Sequence, residues 1–223
     1  MNNKSQVKES YLKSTSSFIK DNLKNIILLL AIVFILFLSF QGYSFYKINK
    51  INKLSISYFA IQNLDDEITQ YSKMTEISNE KGFYSILSKL ELIKYNINNG
   101  DYDRSLELYD DILNSNELDN IYISLVAINA AYNFIDIVIK NRNDKYIENI
   151  NKFISLIDES LDNYIGNKNE LLYLVSILSL NDDSNYKNNS ELLTLYDNMM
   201  DNENISLTIK ERVKKIHEFY IFI

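Results

Sequence analysis

Residues 25–46 read NIILLLAIVFILFLSFQGYSFY and contain no charged side chain. As an α-helix, a run of twenty-two residues extends about 33 Å, enough to cross a hydrocarbon core about 30 Å thick. Lys24 and Lys47 bound the run, and three aromatic residues lie near its end, where interfacial aromatic side chains are common. The pattern predicts one transmembrane helix over residues 25–46.

The polar tail before this helix, residues 1–24, is basic. Residues 1–46 carry a net charge of +3, and residues 47–223 carry −10, which together give the −7 of the whole chain. Because lysine is enriched on the cytoplasmic side of membrane helices, we expect a cytoplasmic tail and a C-terminal domain on the opposite side. The lysines of the tail are Lys4, Lys8, Lys13, Lys20 and Lys24, and those just after the helix are Lys47, Lys50 and Lys53.

A cleaved signal peptide is the alternative interpretation of the apolar run. Gly42-Tyr43-Ser44 has the small-x-small pattern of a cleavage site. However, a polar lead of 24 residues and an uncharged run of 22 are both long for a signal peptide. We therefore predict an uncleaved membrane anchor, with cleavage as the alternative.

Composition limits the chemistry that the chain can perform. The sequence has no Pro, Cys or Trp and only four Gly. The absence of Pro favours long helices, and the absence of Cys removes thiolate chemistry, disulfides and most structural zinc sites. The acidic charge of residues 47–223 disfavours nucleic acid as a partner, because binding phosphates needs a basic face.

Helical periodicity continues from the apolar run to the end of the chain. Apolar residues spaced by three and four from Ile48 to Tyr71 predict a helical stalk over residues 47–77. Residues 78–223 show successive amphipathic helices separated by polar turns at Asn98-Asn99-Gly100, Asn141-Arg142-Asn143 and Asn181 to Asn189. The predicted fold is all-α: one N-terminal transmembrane helix followed by a short right-handed TPR-like α-solenoid of antiparallel helix hairpins.

Four sequence signals predict where helices of this domain begin. Ser78 and Asp101 are each placed to cap the helix that follows. The pairs Asn167 with Glu170 and Thr208 with Glu211 have the spacing of a capping box. We therefore expect helix N-termini just after Ser78, Asp101, Asn167 and Thr208.

Leu92 to Asn114, LIKYNINNGDYDRSLELYDDILN, resembles a tetratricopeptide repeat. The turn Gly100-Asp101-Tyr102-Asp103, followed by Leu106 and Tyr109, matches the loop and second helix of the repeat. The sequence departs from the repeat in three places, since Lys89 stands at the early aromatic position, Ile93 at the small crossing position, and no terminal Pro is present.

The order of segments over residues 20 to 223 is similar to that of the YfgM-like tetratricopeptide-repeat family. That family is ancillary to the SecYEG translocon. The similarity rests on the basic tail, the apolar run, the segment Leu92 to Asn114 and a closing helix that begins near Ser206 to Arg212. It implies a bacterial inner-membrane protein with a periplasmic C-terminal domain that associates with the translocon or with periplasmic chaperones. It implies no cofactor and supplies no catalytic residue.

Candidate chemical residues are few, and each has a structural interpretation. His217, the only histidine, lacks the further ligands of a zinc site and the partners of a catalytic triad. Three groups of adjacent acidic residues occur, at Asp65-Asp66-Glu67, Asp110-Asp111 and Asp182-Asp183. We expect all three to be solvated, and the first to lie on the face of a stalk helix.

One segment begins like a calcium-binding loop. The residues from Asp101 to Ser105 match the first positions of such a loop, but Leu106 stands at the position where the loop requires Gly. There is also no glycine-rich phosphate loop and no Gly-x-Ser-x-Gly nucleophile motif. We therefore expect no enzyme activity, no metal, no cofactor and no small-molecule ligand.

The sequence supports two function hypotheses. The first is a membrane-anchored adaptor that binds proteins at the inner membrane, near the Sec translocon or its chaperones, and contacts lipid only through residues 25–46. The alternative is a structural spacer or self-associating subunit of another envelope assembly. The sequence identifies no partner-binding residues.

Overall fold

The computed structural model describes Lys20, residues 22–180, Tyr186 and residues 189–222. These residues are helical, with no β-strand among them. The α-helices are α1 Leu23–Gln62, α2 Glu67–Ser78, α3 Phe83–Asn98, α4 Tyr102–Leu113, α5 Asn120–Asn141, α6 Ile147–Ser155, α7 Asp162–Leu178, α8 Ser190–Asp201 and α9 Leu207–Phe222, and a 3-10 turn at Asp144–Tyr146 precedes α6. The all-α part of the predicted fold is therefore confirmed.

The chain divides into two compact units between Asn63 and Leu64. The first unit contains α1, whose 40 residues include the whole predicted span of residues 25–46. The large apolar side chains from Ile27 to Tyr46 are more than half exposed, and the most apolar window of α1 contains no buried residue. α1 is long and apolar enough to cross a membrane, and a signal sequence would meet the same criteria.

The periodic stretch from Ile48 to Tyr71 forms two helices rather than one. α1 ends at Gln62, and α2 begins at Glu67. Asp66 lies in the break and caps α2, because its carboxylate accepts a hydrogen bond from the Thr69 backbone N–H at 3.0 Å. The acidic group Asp65-Asp66-Glu67 is exposed, as expected, but it marks a helix start rather than a helix face.

The second unit is built from helices that contact their neighbours along the chain. α3 packs against both α2 and α4, α5 packs against α6, and α7 packs against α8. The predicted turn at Asn98-Asn99-Gly100 is confirmed, and Gly100 adopts a φ of +78° that side chains disfavour. The predicted cap by Asp101 is also confirmed, because its carboxylate accepts from the Arg104 backbone N–H at 3.3 Å.

Contacts between successive hairpins form the core of this unit. α4 contacts α5, and α6 contacts α7, while α5 contacts α7 and α7 contacts α9 across one intervening helix. Tyr109, Phe134 and Phe153 are fully buried, and their ring centroids lie 5.9 to 6.2 Å apart. α5 also meets the length and hydropathy criteria for a membrane span, but 56% of its apolar window is buried, as in a core helix.

Three of the four predicted helix starts are wrong. Ser78 ends α2, and Gly82, with a φ of +97°, precedes α3. Asn167 and Glu170 lie inside α7, which begins at Asp162. α9 begins before Thr208, and the hydroxyl of Ser206 accepts from the Ile209 backbone N–H at 3.4 Å. The Ser78 hydroxyl donates to the Thr75 carbonyl within α2, the Glu170 carboxylate bonds Tyr132 and Arg212, and α9 begins one residue before Thr208.

Candidate binding groove

A groove of about 600 Å³ opens between α3 and α5. α3 and α5 form its walls, and α4, which contacts both, contributes Tyr109. Its residues recur at three or four positions along each helix, so each helix presents one face to it. We call this the α3–α5 groove, and its lining residues are Leu90, Ile93, Lys94, Ile97, Asn98, Tyr109, Leu125, Val126, Asn129 and Asn133.

The walls of the groove are mainly apolar and partly open to solvent. Ile93 and Val126 are buried, Leu90 and Ile97 are half-buried, and Leu125 remains 50% exposed. The apolar face of α3 is therefore only partly core, because one side of it faces this groove. Lys94 lies on the α3 wall, is exposed, and forms no ion pair with any described residue.

Tyr109 holds two asparagine side chains of α5 in fixed positions. The Tyr109 hydroxyl donates to Asn129 Oδ1 at 2.6 Å and accepts from Asn133 Nδ2 at 2.7 Å. Asn133 Nδ2 also lies 3.2 Å from Asn129 Oδ1. Burial raises the pKa of Tyr109 to about 12, against the opposing effect of the Asn133 hydrogen bond, so the phenol keeps its proton at neutral pH.

Each of the two amides keeps one polar atom free. Asn129 Nδ2 and Asn133 Oδ1 have no partner among the described residues. One is a hydrogen-bond donor and the other an acceptor. Asn129 is exposed and Asn133 is half-buried, so a molecule in the groove can reach both amides. The groove therefore combines apolar walls with an oriented donor and acceptor, which is the usual character of a binding site.

A second polar cluster lies at the meeting point of α5, α7 and α9. Glu170 is 2% exposed, accepts from the Tyr132 hydroxyl at 2.6 Å, and accepts from Arg212 Nε at 2.8 Å. Burial and the Glu170 carboxylate both raise the pKa of Tyr132, and Glu170 raises that of Arg212. Both carboxylate oxygens of Glu170 accept hydrogen bonds in this cluster, so we interpret it as a structural link between three helices.

His217 lies in a buried aromatic cluster rather than at a site. Its Nδ1 contacts the hydroxyl of Tyr186, and its ring stacks on that of Tyr196 with centroids 3.6 Å apart. The Tyr173 hydroxyl bonds that of Tyr186 and lies 3.4 Å from His217 Nδ1. Burial lowers the pKa of His217, so the neutral ring is favoured.

The acidic candidates of α4 take part in ion pairs between helices. Asp110 lies 2.7 Å from Lys152 Nζ, and Asp111 lies 3.7 Å from Lys89 Nζ. Asp103, in the segment that begins like a calcium loop, lies 2.6 Å from Lys145 Nζ, which lowers the pKa of its carboxyl. Asp182-Asp183 lie outside the described residues. Within those residues, no group of three or more potential metal-ligating side chains is present.

The sequence did not single out the residues that define the groove. Tyr109 is marked only by the resemblance of Leu92 to Asn114 to a tetratricopeptide repeat, and Asn129 and Asn133 belong to no motif. Their spacing of four residues inside an apolar helix is the signal that could have identified them. That signal is weak here, because asparagine is common throughout this chain.

No family model, no curated protein and no solved structure matches this chain. The similarity to the YfgM-like family therefore stays a prediction.

Proposed function

We propose that this chain is a membrane-anchored adaptor whose helical domain binds another protein. The observation that carries the proposal is α1, an apolar helix of 40 residues whose most apolar window contains no buried residue. An exposed apolar surface of this size is stable in lipid and unfavourable in water.

The length of α1 supports an anchor with an extension. A helix of 40 residues extends about 60 Å, of which about 30 Å lies in the hydrocarbon core. Residues 25–46 supply the membrane part in this proposal, and residues 47–62 continue the same helix beyond the headgroups. Cleavage after Gly42-Tyr43-Ser44 is the competing outcome, and it would release the helical domain.

We further propose that the hairpins of the second unit stack as a TPR-like α-solenoid. Contacts between α5 and α7 and between α7 and α9 support this arrangement, because alternate helices of stacked hairpins lie side by side. The α3–α5 groove then lies between the first helices of two successive hairpins and is the proposed protein-binding surface. Tethering to a membrane raises the local concentration of the domain near membrane partners, so that weak contacts suffice.

The proposed location is the bacterial inner membrane, with residues 1–24 in the cytoplasm and the helical domain in the periplasm. The net charge of +3 before residue 47 supports this orientation. The translocon and its periplasmic chaperones are the proposed partners, and this part of the proposal rests on the family similarity alone. Protease treatment of intact spheroplasts tests the orientation, because digestion of the C-terminal domain is expected only if it faces outward.

Crosslinking in membranes, followed by detergent extraction and purification of the tagged full chain, tests the adaptor function. We expect a discrete heterologous protein to be recovered with the chain. The Leu125→Ala variant removes an exposed apolar side chain from the wall of the groove. It should recover less of that protein than the wild type recovers. A single homo-oligomer with no heterologous protein would contradict the adaptor function and favour the spacer alternative.

A further inference from the structure

We infer that a pocket between α7 and α9 binds a single-chain aliphatic carboxylate, with the chain in the pocket and the carboxylate at Lys215. The pocket has a volume of about 350 Å³ and is lined mainly by apolar residues of α7 and α9, together with Ile139 of α5. We call it the α9 pocket. This inference goes beyond the proposed function and does not depend on it.

The walls of the α9 pocket leave apolar surface in contact with water. Ile139 of α5 is 55% exposed and Phe219 of α9 is 61% exposed, while Leu174 and Leu178 of α7 are half-buried. Burial of apolar surface is favourable, so a ligand that covers these side chains gains free energy from the contact. The volume of the pocket lies within the usual range for small-molecule sites, about 300 to 1,000 Å³.

Three of the lining residues are held in place by the core. Ile177 is buried, and Ile216 and Tyr220 pack against the same buried cluster. The Tyr220 ring also stacks on that of Tyr186, with the ring centroids 5.3 Å apart. Because these side chains are already ordered, a ligand does not have to order them, and this favours binding.

Lys215 gives the pocket a positive charge. It is the one charged side chain among the described residues that line the pocket, it is exposed, and it forms no ion pair with another described residue. Residues 47–223 carry a net charge of −10, so a site whose charge is positive differs from the rest of this domain. The pocket therefore favours an anionic ligand over a cationic one, and over a second copy of this acidic domain.

The size of the pocket selects one aliphatic chain rather than two. A methylene group occupies about as much volume as a water molecule in the liquid, roughly 30 Å³, so the pocket holds on the order of ten methylenes. A phospholipid with two acyl chains is too large for it. A peptide fits less well, because Lys215 and Tyr220 are the polar side chains among the described lining residues, and buried backbone groups of the peptide would stay unpaired.

The test uses the full chain in phosphatidylcholine nanodiscs and a photoreactive decanoate with a diazirine near the end of its chain. After irradiation at pH 8, where the carboxylate is ionised, peptide mass spectrometry maps and quantifies the labelled residues. We expect the label on residues of α7 and α9 that line the pocket. Unlabelled decanoate should displace it, and so should decanol, which has the same chain without the charge.

One pair of variants tests the carboxylate. Lys215→Met keeps an apolar side chain of similar length and removes the charge. Competition by decanoate should therefore weaken about threefold, as expected for an exposed ion pair, while competition by decanol stays the same. Lys214→Met is the matched control, because it removes the same charge from the next residue, which does not line the pocket, and it should change neither.

A second pair tests the apolar wall. Phe219→Ala removes an exposed apolar side chain from the pocket and should weaken competition by decanoate and by decanol about fivefold. Leu207→Ala is the matched control, because Leu207 is 77% exposed on the same helix and does not line the pocket. Circular dichroism confirms that all four variants keep their helical content.

Three outcomes would overturn the inference. Label spread over the exposed apolar residues, or label unaffected by Phe219→Ala, would remove the pocket. An equal effect of Lys215→Met on decanoate and decanol would remove the carboxylate. Labelling of the pocket by a diazirine phosphatidylcholine, without displacement by decanoate, would assign it to bilayer lipid instead. The adaptor function is measured separately, by recovery of a crosslinked protein, so either proposal can fail without the other.

Discussion

Tyr109 serves the core and the groove at the same time. Its ring is fully buried between Phe134 and Phe153, while its hydroxyl reaches the two amides of α5. A tyrosine can do both because its apolar ring carries a polar group at the far end. The sequence pattern correctly predicted that Tyr109 lies in the helix after the turn at Asn98-Asn99-Gly100, but it did not indicate what the hydroxyl would contact.

His217 gives the second unit a dependence on pH. Burial favours the neutral ring and lowers the pKa of His217 below its ordinary value, while Asp197 and Glu218 oppose that shift. The unfolded state therefore binds the proton more readily than the folded state, and stability falls as the pH decreases through the unfolded pKa. Tyr173, Tyr186 and Tyr196 are the other titratable groups in contact with the ring.

We expect the urea midpoint of the full chain in micelles to decrease from pH 7.5 to pH 5.5. The His217→Gln variant should lose most of this decrease, because Gln has no proton to gain. The carboxyl groups with lowered pKa values, such as Asp103, titrate below this window and do not contribute. An identical decrease in the variant would mean that His217 is as easily protonated in the folded state as in the unfolded state.

Ser88 is a fully buried residue of α3 whose hydroxyl has no hydrogen-bond partner among the described residues. We expect Ser88→Ala to stabilise the protein by about 1 kcal/mol, because it removes an unsatisfied polar group and places a better helix former in the helix. Urea denaturation followed by circular dichroism measures this change.

Ser105→Ala is the matched control, because the Ser105 hydroxyl donates to the backbone oxygen of Asp101 at 3.1 Å. This control should gain no stability. Destabilisation by Ser88→Ala would show that the Ser88 hydroxyl has a partner after all.

At the scale of the element, α7 shows why a local signal failed. Asn167 and Glu170 have capping-box spacing, and Gly166 before them also suggests a helix boundary. The helix nevertheless continues through all three residues. A Cβ at position 166 would lie 2.8 Å from Ile209 Cδ1, so a side chain there would require the end of the Ile209 side chain to shift. Packing between elements outweighed the helix propensity of one residue.

The cluster of Glu170 links three helices, and its removal should affect stability more than the loss of a surface ion pair. Arg212→Met leaves the buried Glu170 carboxylate without its cation. We expect a loss of about 2 kcal/mol in the free energy of unfolding, because Arg212 is half exposed and water can partly replace it. Urea denaturation of the full chain in micelles measures the loss.

Two further variants complete this test. Glu170→Gln combined with Arg212→Met removes the unpaired charge and should recover much of the lost stability. Lys214→Met removes the cation of an exposed pair on the same helix, 3.8 Å from Glu218, and should change stability by less than about 0.5 kcal/mol. If Arg212→Met lost only as much stability as Lys214→Met, the Glu170 carboxylate would be effectively solvated.

At the scale of the whole molecule, the two units differ in what stabilises them. The unit after Asn63 contains many fully buried side chains, whereas the most apolar window of α1 contains none. A fragment of residues 64–223 should therefore be helical and monodisperse without detergent, and the full chain should require detergent or lipid. Circular dichroism and size-exclusion chromatography of both proteins measure the difference.

Measurements on either protein can contradict this difference between the two units. A full chain that is monodisperse in buffer alone would remove the membrane anchor from the proposal. An unfolded fragment would show that residues 64–223 depend on α1 for stability. The predicted fragment behaviour follows from burial of apolar surface, which is the dominant favourable contribution to folding.

The sequence by itself determined the helical class, the long apolar helix, the turn at Asn98-Asn99-Gly100 and the cap at Asp101. Each of these depends on residues within one or two helical turns, so local patterns were sufficient. Only the tertiary structure decided that the periodic stretch breaks before Glu67, that α7 begins at Asp162, and that Tyr109 orients Asn129 and Asn133. Tyr109 is separated from these asparagines by 20 and 24 residues, and only the packing of helices brings them together.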